Sequence, residues 1–408
     1  MRWPEYLLAS TLLRLLGGIF SRFPFRPHRV VFATARTPVL EGNLAFIHRA
    51  MHVRHPELDY VFLLEPYSYG WREKLRYLMR LVRGVYYLQT SALVVVDNAY
   101  LPVHVMPHRP RTTVVQVWHA AGALKCFGLD APVLRQPTER RFLHRNYDYV
   151  VVGGEAARTP YATALRTPVD RVLALGSPRT DFFFDAAAMA RARERLLAAH
   201  PELRERRVIL YAPTFRGGGE AKRPAPGFDG ARLRGALPKE YALVLKTHPN
   251  LDPGATPTDG YDAVIDPTAE INEVFTIADV LVTDYSSSIF EWALLRRPLV
   301  LHVGDLARYE VDPGMYLAYD TGMIGIQVTD TDGVAAAILA DRFDLSDYDA
   351  FVARHLSVSD GNASARFVEH FAPVTRAAAV TSGATSARDA VPEGDRLRDR
   401  LGAHVHHE

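Results

Sequence analysis

The sequence predicts an α/β protein of two doubly wound domains facing a cleft. Three observations carry this. Runs of β-branched and other apolar residues recur without polar alternation, as in strands buried on both faces. Segments with helical spacing separate most of them. At 408 residues the chain also exceeds one comfortable hydrophobic core.

In the first series, "RVVFAT" (29–34), "DYVFLLE" (59–65), "SALVVVDN" (91–98), "TTVVQVWH" (112–119) and "YDYVVVG" (147–153) read as strands, and 43–54 as a helix. A second series opens near residue 172 with "RVLALG" (171–176) and a helix over 185–199. It continues through "RVILYAPTF" (207–215), "YALVLKTHP" (241–249), "AVID" (263–266), "DVLVTD" (279–284) and "PLVLHV" (298–303). The expected boundaries are 1–27 for a membrane-surface helix, 28–170 for the first α/β domain, 171–375 for the second and 376–408 for a disordered tail. The closing "HVHHE" belongs to that tail and is at most a weak metal binder.

Two segments suit a membrane surface. Residues 6–20 are apolar, with Arg14 inside the run and Arg22, Arg26 and Arg29 after it. In "WREKLRYLMRLVRG" (71–84), Leu75, Leu78 and Val82 share one helical stripe, and Arg72, Arg76, Arg80 and Arg83 another. That pattern is a basic amphipathic helix, fit for anionic headgroups. No apolar run reaches the roughly 18 residues of a spanning helix.

Composition narrows the class. Hydrophobic content of 48%, charged content of 23% and a net charge of +2 are ordinary for a globular protein and exclude strong whole-molecule steering. Cys126 is the single cysteine, so no internal disulfide forms, consistent with a reducing cytoplasm. There is no P-loop, no G-x-G-x-x-G after the first strand, no H-E-x-x-H and no G-x-S-x-G elbow. The arginines are interleaved with apolar helix formers rather than set in a nucleic-acid motif, so no nucleic-acid partner is expected.

Strand ends carry the chemistry. "LALGSPRTD" ends in Ser177, Arg179 and Asp181, "YAPTFRGGG" in Thr214 and Arg216, and "LVLKTHPN" in Lys246, Thr247 and His248. "VLVTDYSSSIFEW" ends in Thr283, Asp284 and Ser286–Ser288. In doubly wound sheets ligands bind beyond the carboxyl ends of strands. The serines precede a helix and suit an anion. Arg216, Lys246 and His248 supply charge for a diphosphate, and Glu291 is placed to accept from ribose hydroxyls. Asp284 is either an organiser of this pocket or a metal ligand; the cations make a metal unnecessary, and no cofactor is expected. On the opposite domain "VVQVWHAAGALK" ends a strand on His119, a candidate general base. The small residues Ala120, Ala121, Gly122 and Ala123 leave room for substrate beside it.

"QVWHAAGALKCFG" (116–128), "GSPRTD" (176–181), "YAPTFR" (211–216), "LKTHPN" (245–250) and "DVLVTDYSSSIFEWALLRRPLVLHVGDLARYE" (279–310) resemble the CDP-glycerol glycerophosphotransferase family, which primes or polymerises teichoic acids. The resemblance runs over about 110–330. It implies a GT-B fold and transfer of glycerol phosphate, or ribitol phosphate in relatives, from a CDP-alditol to a lipid-linked acceptor, with release of CMP. It gives His119 the role of base and places His248 near the donor diphosphate. Trp118, Gly122 and Lys125 fall on the acceptor side; Arg179, Thr214, Arg216, Lys246, Asp284, Ser286, Ser287, Ser288 and Glu291 fall on the donor side. Many members have W-H-G-T-P-L-K where this chain has Trp118 to Lys125, so the histidine and lysine are kept and the loop between them is changed. The implied location is the cytoplasmic face of the cell membrane, held peripherally. A glycosyltransferase or nucleotide-sugar epimerase with the same diphosphate pocket is the alternative, and a membrane-associated scaffold the third reading.

Overall fold

The continuous apolar runs of the first half become parallel strands, because such runs are stable only with both faces covered. The structure is a computed structural model that describes residues 3–65, 71–132, 139–217, 222–248, 251, 254 and 256–373. The tail 376–408, Pro249, Asn250, Gly218 and Gly219 lie outside the described residues, as do the side chains of Arg72 and Leu75.

The first sheet holds β1 (Arg26–Thr34), β2 (Asp59–Leu64), β3 (Ser91–Val96), β4 (Thr113–Gln116), β5 (Tyr149–Val152) and β6 (Val172–Ala174) in the order β2-β1-β3-β4-β5-β6. The second holds β7 (Arg207–Tyr211), β8 (Tyr241–Lys246), β9 (Ala263–Ile265), β10 (Val280–Thr283), β11 (Leu299–His302) and β12 (Ile326–Val328) in the order β12-β11-β10-β7-β8-β9. Every described pairing within the two sheets is parallel. Each order reverses direction once, between β1 and β3 in the first sheet and between β7 and β10 in the second. Crevices at such switch points are where open α/β sheets bind ligands.

Two boundaries differ from expectation. Val172–Ala174 was expected to open the second series, yet it pairs with β5 and closes the first sheet. The helix Ala363–Phe371 returns to that sheet too, burying Phe367, Val368 and Phe371 against Val30, Phe32, Val95 and Val115. The chain therefore crosses between the sheets twice, and the first domain is not one continuous stretch. Both sheets lie in one compact body, Met1–Pro373.

The N-terminal apolar run is the helix Trp3–Phe20, and the basic run is the helix Trp71–Thr90. The first buries Leu13 and leaves Leu7, Leu8, Leu12, Leu15 and Ile19 exposed, with Leu8 at 75% and Leu15 at 65%. Three arginines expected at a surface have partners within the protein, and one of them is buried. Arg14 Nε donates to Val105 O at 2.8 Å. Arg29 pairs with Asp59 at 2.7 Å. Arg80 is buried, donating to Thr34 O at 3.1 Å and to Glu65 O. The helical stripe thus carries its arginines on more than one face. Among the described residues no helix is long and apolar enough to cross a membrane.

Candidate active site

Between the two switch points lies a cleft of about 600 Å³, a size ordinary for small-molecule sites. It is lined from the first domain by Arg36, Thr37, Glu41 and His119, and by Arg179 on the first crossing segment. The second domain contributes Thr214, Lys246, Thr247, His248, Thr268, Glu270 and Ser286–Ser288.

His119 follows β4 through an unusual turn. Trp118 has φ of 45°, a left-handed conformation that costs a bulky residue about 1–3 kcal/mol and persists only when its surroundings hold it. Trp118 N–H donates to Gln116 Oε1 at 2.8 Å, and its ring stacks on His119 and Phe127 with centroids 4.6 Å and 4.9 Å away. His119 Nδ1 lies 3.3 Å from Asp97 O. A carbonyl oxygen only accepts, so that contact selects the Nδ1–H tautomer and leaves Nε2 as a proton acceptor. Burial, with the charges of Arg36, Arg179 and Lys125, pushes His119 down to about 3, so it is neutral near pH 7.

The small residues after His119 do a different job from the one expected. A Cβ on Gly122 would sit 2.7 Å from the Phe290 ring of the second domain. One on Gly153, after β5, would sit 2.1 Å from Ala121 O. Cys126 N–H donates to Gly314 O at 2.9 Å and Tyr316 N–H to Leu124 O at 2.9 Å. The loop is a seam between domains, and its glycine serves close packing rather than substrate access. Lys125 and Trp118 are likewise not on the cleft wall. Lys125 Nζ meets Tyr309 Oη at 3.3 Å, although its charge still reaches both cleft histidines.

On the second domain, Thr214, Lys246, His248 and the three serines line the cleft as expected. Lys246 Nζ donates to Pro267 O at 3.1 Å, and burial lowers its pKa against the opposing pull of Glu270, Asp266 and Glu41. His248 is pushed down to about 3 by burial and by Lys125, Lys246, Arg36 and Lys222, and its ring meets Phe215 edge-on at 4.8 Å. Ser286 Oγ and Ser288 Oγ are 2.7 Å apart.

Two expected ligand contacts are absent from the wall. Arg216 is spent on Asp284 at 2.8 Å and Asp305 at 2.7 Å, and lies over the rings of Tyr285 and Tyr309. Glu291 is fully buried, and its Oε1 takes Arg179 Nε at 2.7 Å instead of reaching for ribose. Burial opposes the Arg179 charge, but the Glu291 carboxylate beside it holds its pKa above the ordinary value. Asp284 is bonded in the way expected of an organiser. It accepts from Thr214 N at 2.8 Å and Thr214 Oγ1 at 2.9 Å, besides Arg216. No cluster of three His, Cys, Asp or Glu suited to a metal occurs among the described residues.

Sequence reasoning missed Arg36, Glu41, Asn43 and Glu270. The first three follow β1, whose end "ARTPVLEGN" has the same polar character as the strand ends that were read. Glu41 precedes the helix Gly42–Arg54 without capping it, and burial raises its pKa. Glu270 lines the opposite wall, its Oε1 buried without a hydrogen bond.

A family model for CDP-Glycerol:Poly(glycerophosphate) glycerophosphotransferase matches residues 17–372. The teichoic acid poly(ribitol-phosphate) polymerase of Bacillus spizizenii is 34% identical over 368 residues, covering 89% of this chain and 59% of the polymerase. The teichoic acid ribitol-phosphate primase of the same organism is 30% identical, covering 89% of this chain and 97% of the primase. The teichoic acid glycerol-phosphate primase of Bacillus subtilis is 30% identical, covering 70% of this chain and 74% of the primase. Among solved structures, a variant of the wall teichoic acid polymerase TagF soaked with CDPG superposes with a TM-score of 0.71 at 22% identity, over 89% of this chain and 92% of that one. That likeness establishes the two-domain GT-B-like fold. The chain belongs to the CDP-glycerol:poly(glycerophosphate) glycerophosphotransferase family.

Proposed function

We propose that this chain transfers glycerol phosphate from CDP-glycerol to a hydroxyl of a lipid-linked acceptor in teichoic-acid-type polymer synthesis. The observation that carries the reading is the cleft at both switch points, with a neutral histidine on one wall and Lys246, His248 and three serines on the other.

The acceptor oxygen attacks the β-phosphorus of the donor in line. The new P–O bond forms as the bond to the CMP oxygen breaks, CMP departs, and His119 Nε2 takes the hydroxyl proton. Catalysis of this kind is mostly positioning and charge stabilisation. Burial first, and then the charges of Arg36, Arg179 and Lys125, lower His119, and the negative charge of a diphosphate opposes the second of these effects. Lys246 and His248 meet the diphosphate, while Arg216 and Asp284 keep Thr214 in place behind it.

Ribitol phosphate is the second reading, favoured by the names of the two Bacillus spizizenii relatives. Incubation with CDP-glycerol, CDP-ribitol and UDP-sugars, followed by mass spectrometry of a lipid-linked acceptor, separates the readings. Acceptor mass raised by one or more alditol phosphates, with CMP released, supports transfer. Product from a UDP-sugar alone overturns it.

A lipid-linked acceptor calls for work at a membrane surface. The exposed stripe Leu8, Leu12, Leu15 and Ile19 supports this at a cytoplasmic membrane face, held peripherally. The intact chain is expected to sediment with anionic vesicles, and Leu8→Gln with Leu15→Gln to weaken binding roughly tenfold or more, from about 1.5–3 kcal/mol per buried leucine. An intact chain left in the supernatant at low salt contradicts surface binding.

A further inference from the structure

Asn43 is the least expected polar residue at the site. It stands in the first turn of the helix Gly42–Arg54 and is 4% exposed. Its carboxamide makes four hydrogen bonds. Nδ2 donates to Val117 O at 3.1 Å and to Trp118 O at 3.0 Å. Oδ1 accepts from Ser177 Oγ at 3.2 Å and from Arg179 N–H at 3.0 Å. Both donors and both acceptor sites of the group are used.

These partners belong to the segment that leads to His119 and to the one that carries Arg179, and both of those residues line the cleft. Val117 and Trp118 precede His119, and Trp118 is the residue held left-handed. Arg179 lines the cleft and carries the pairing with Glu291 of the second domain. We propose that Asn43 is a positioning residue for His119: its amide holds the strained Trp118 turn and fixes the distance from the base to the Arg179 segment. Without the two N–H donors Trp118 is free to relax to negative φ. His119 then swings away from Asp97 O and from the reacting oxygen. Asn43 itself touches neither donor nor acceptor. The inference rests on the alditol-phosphate reading only for its kinetic test.

Asn43→Asp is the discriminating variant, because it keeps the acceptor for Ser177 and Arg179 and removes the donors to Val117 and Trp118. A misplacement on the order of 1 Å costs about 100-fold. Asn43→Asp is therefore expected to lower kcat roughly 10- to 100-fold, with the donor dissociation constant within about threefold of wild type. In a His119→Ala background the same change is expected to cost less than about twofold, since a residue acting through His119 has nothing left to position. An equal loss in both backgrounds, or kcat within about twofold of wild type, overturns the proposal. Histidine-labelled ¹H–¹⁵N NMR gives a readout free of the donor's identity. With the His119 signals assigned by their loss in His119→Ala, the wild type is expected to show the Nδ1–H tautomer and Asn43→Asp a mixture. An unchanged tautomer overturns the clamp. Absence of CMP from either CDP-alditol with wild type instead overturns the functional reading and leaves the NMR result standing. Should Asn43→Asp not fold, Ser177→Ala decides: it removes one of the bonds that hold the amide, so kcat is expected to fall about two- to fivefold with the donor dissociation constant kept, and an unchanged kcat overturns the proposal.

Discussion

The two walls of the cleft are built on different plans. On the second domain the polar residues are locked in layers. Thr214 leans on Asp284, Asp284 on Arg216, and Arg216 on Asp305. On the first domain His119 has one long hydrogen bond among the described residues, to Asp97 O at 3.3 Å, and otherwise relies on the stacked ring of Trp118 and its strained turn, held from outside. The difference suits their tasks. A pocket that grips a diphosphate gains from fixed dipoles, whereas a base must stay free to take a proton and to shift its pKa when charge arrives.

The largest effect expected from breaking this plan is at the junction of the walls. Glu291→Ala strands the buried Arg179 guanidinium, and removing one partner of a buried pair costs about 3–5 kcal/mol. Chemical denaturation is expected to show that loss. A variant as stable as wild type would mean that Arg179 is solvated or paired elsewhere.

Next is the seam. Gly122→Val forces a side chain into Phe290, and overpacking of this kind costs about 1–3 kcal/mol. Since the seam is also the loop that carries His119, kcat is expected to fall with stability. Calorimetric unfolding and turnover on the same sample check this, and a fall in stability with full kcat would separate seam from base.

The effect furthest from the cleft concerns pH and is present only in acid. His104 is 2% exposed, and burial and then the nearby His144 push it down to about 3 against a weaker opposing contact with the Arg145 backbone. Unfolded, it takes a proton near its ordinary value of about 6.5. Its contribution is therefore full above about pH 6.5 and is lost as pH falls towards 3. Between about pH 7.5 and pH 5 this amounts to about 2 kcal/mol. His104→Phe is expected to flatten that part of the stability profile, and an unchanged slope would assign it to other histidines.

The strands were legible because uninterrupted apolar runs have few other stable fates. What those runs could not show is which sheet receives them. β6 reads like the start of a new series, yet it pairs backwards with β5. β12 went unread, being three residues long and only partly buried. At the site, residue types at strand ends were legible, but their pairing was not. Arg216 meets Asp305 across 89 positions, and Arg179 meets Glu291 across 112. A free cation and one consumed by a distant carboxylate look alike in sequence. The same blindness hid Asn43, whose value comes from four partners on two distant segments. Gly122 was legible as a place of close approach, but not as one facing Phe290.

The division of labour between the walls is tested most directly on His119→Ala, by calorimetric titration with CDP-glycerol and CDP-ribitol alongside single-turnover release of CMP to a lipid-linked acceptor. The account predicts donor binding within about threefold of wild type and turnover lowered roughly 10²–10⁴-fold, the usual cost of a lost general base. Near-normal turnover, or a loss of donor affinity as large as the loss of turnover, would contradict it.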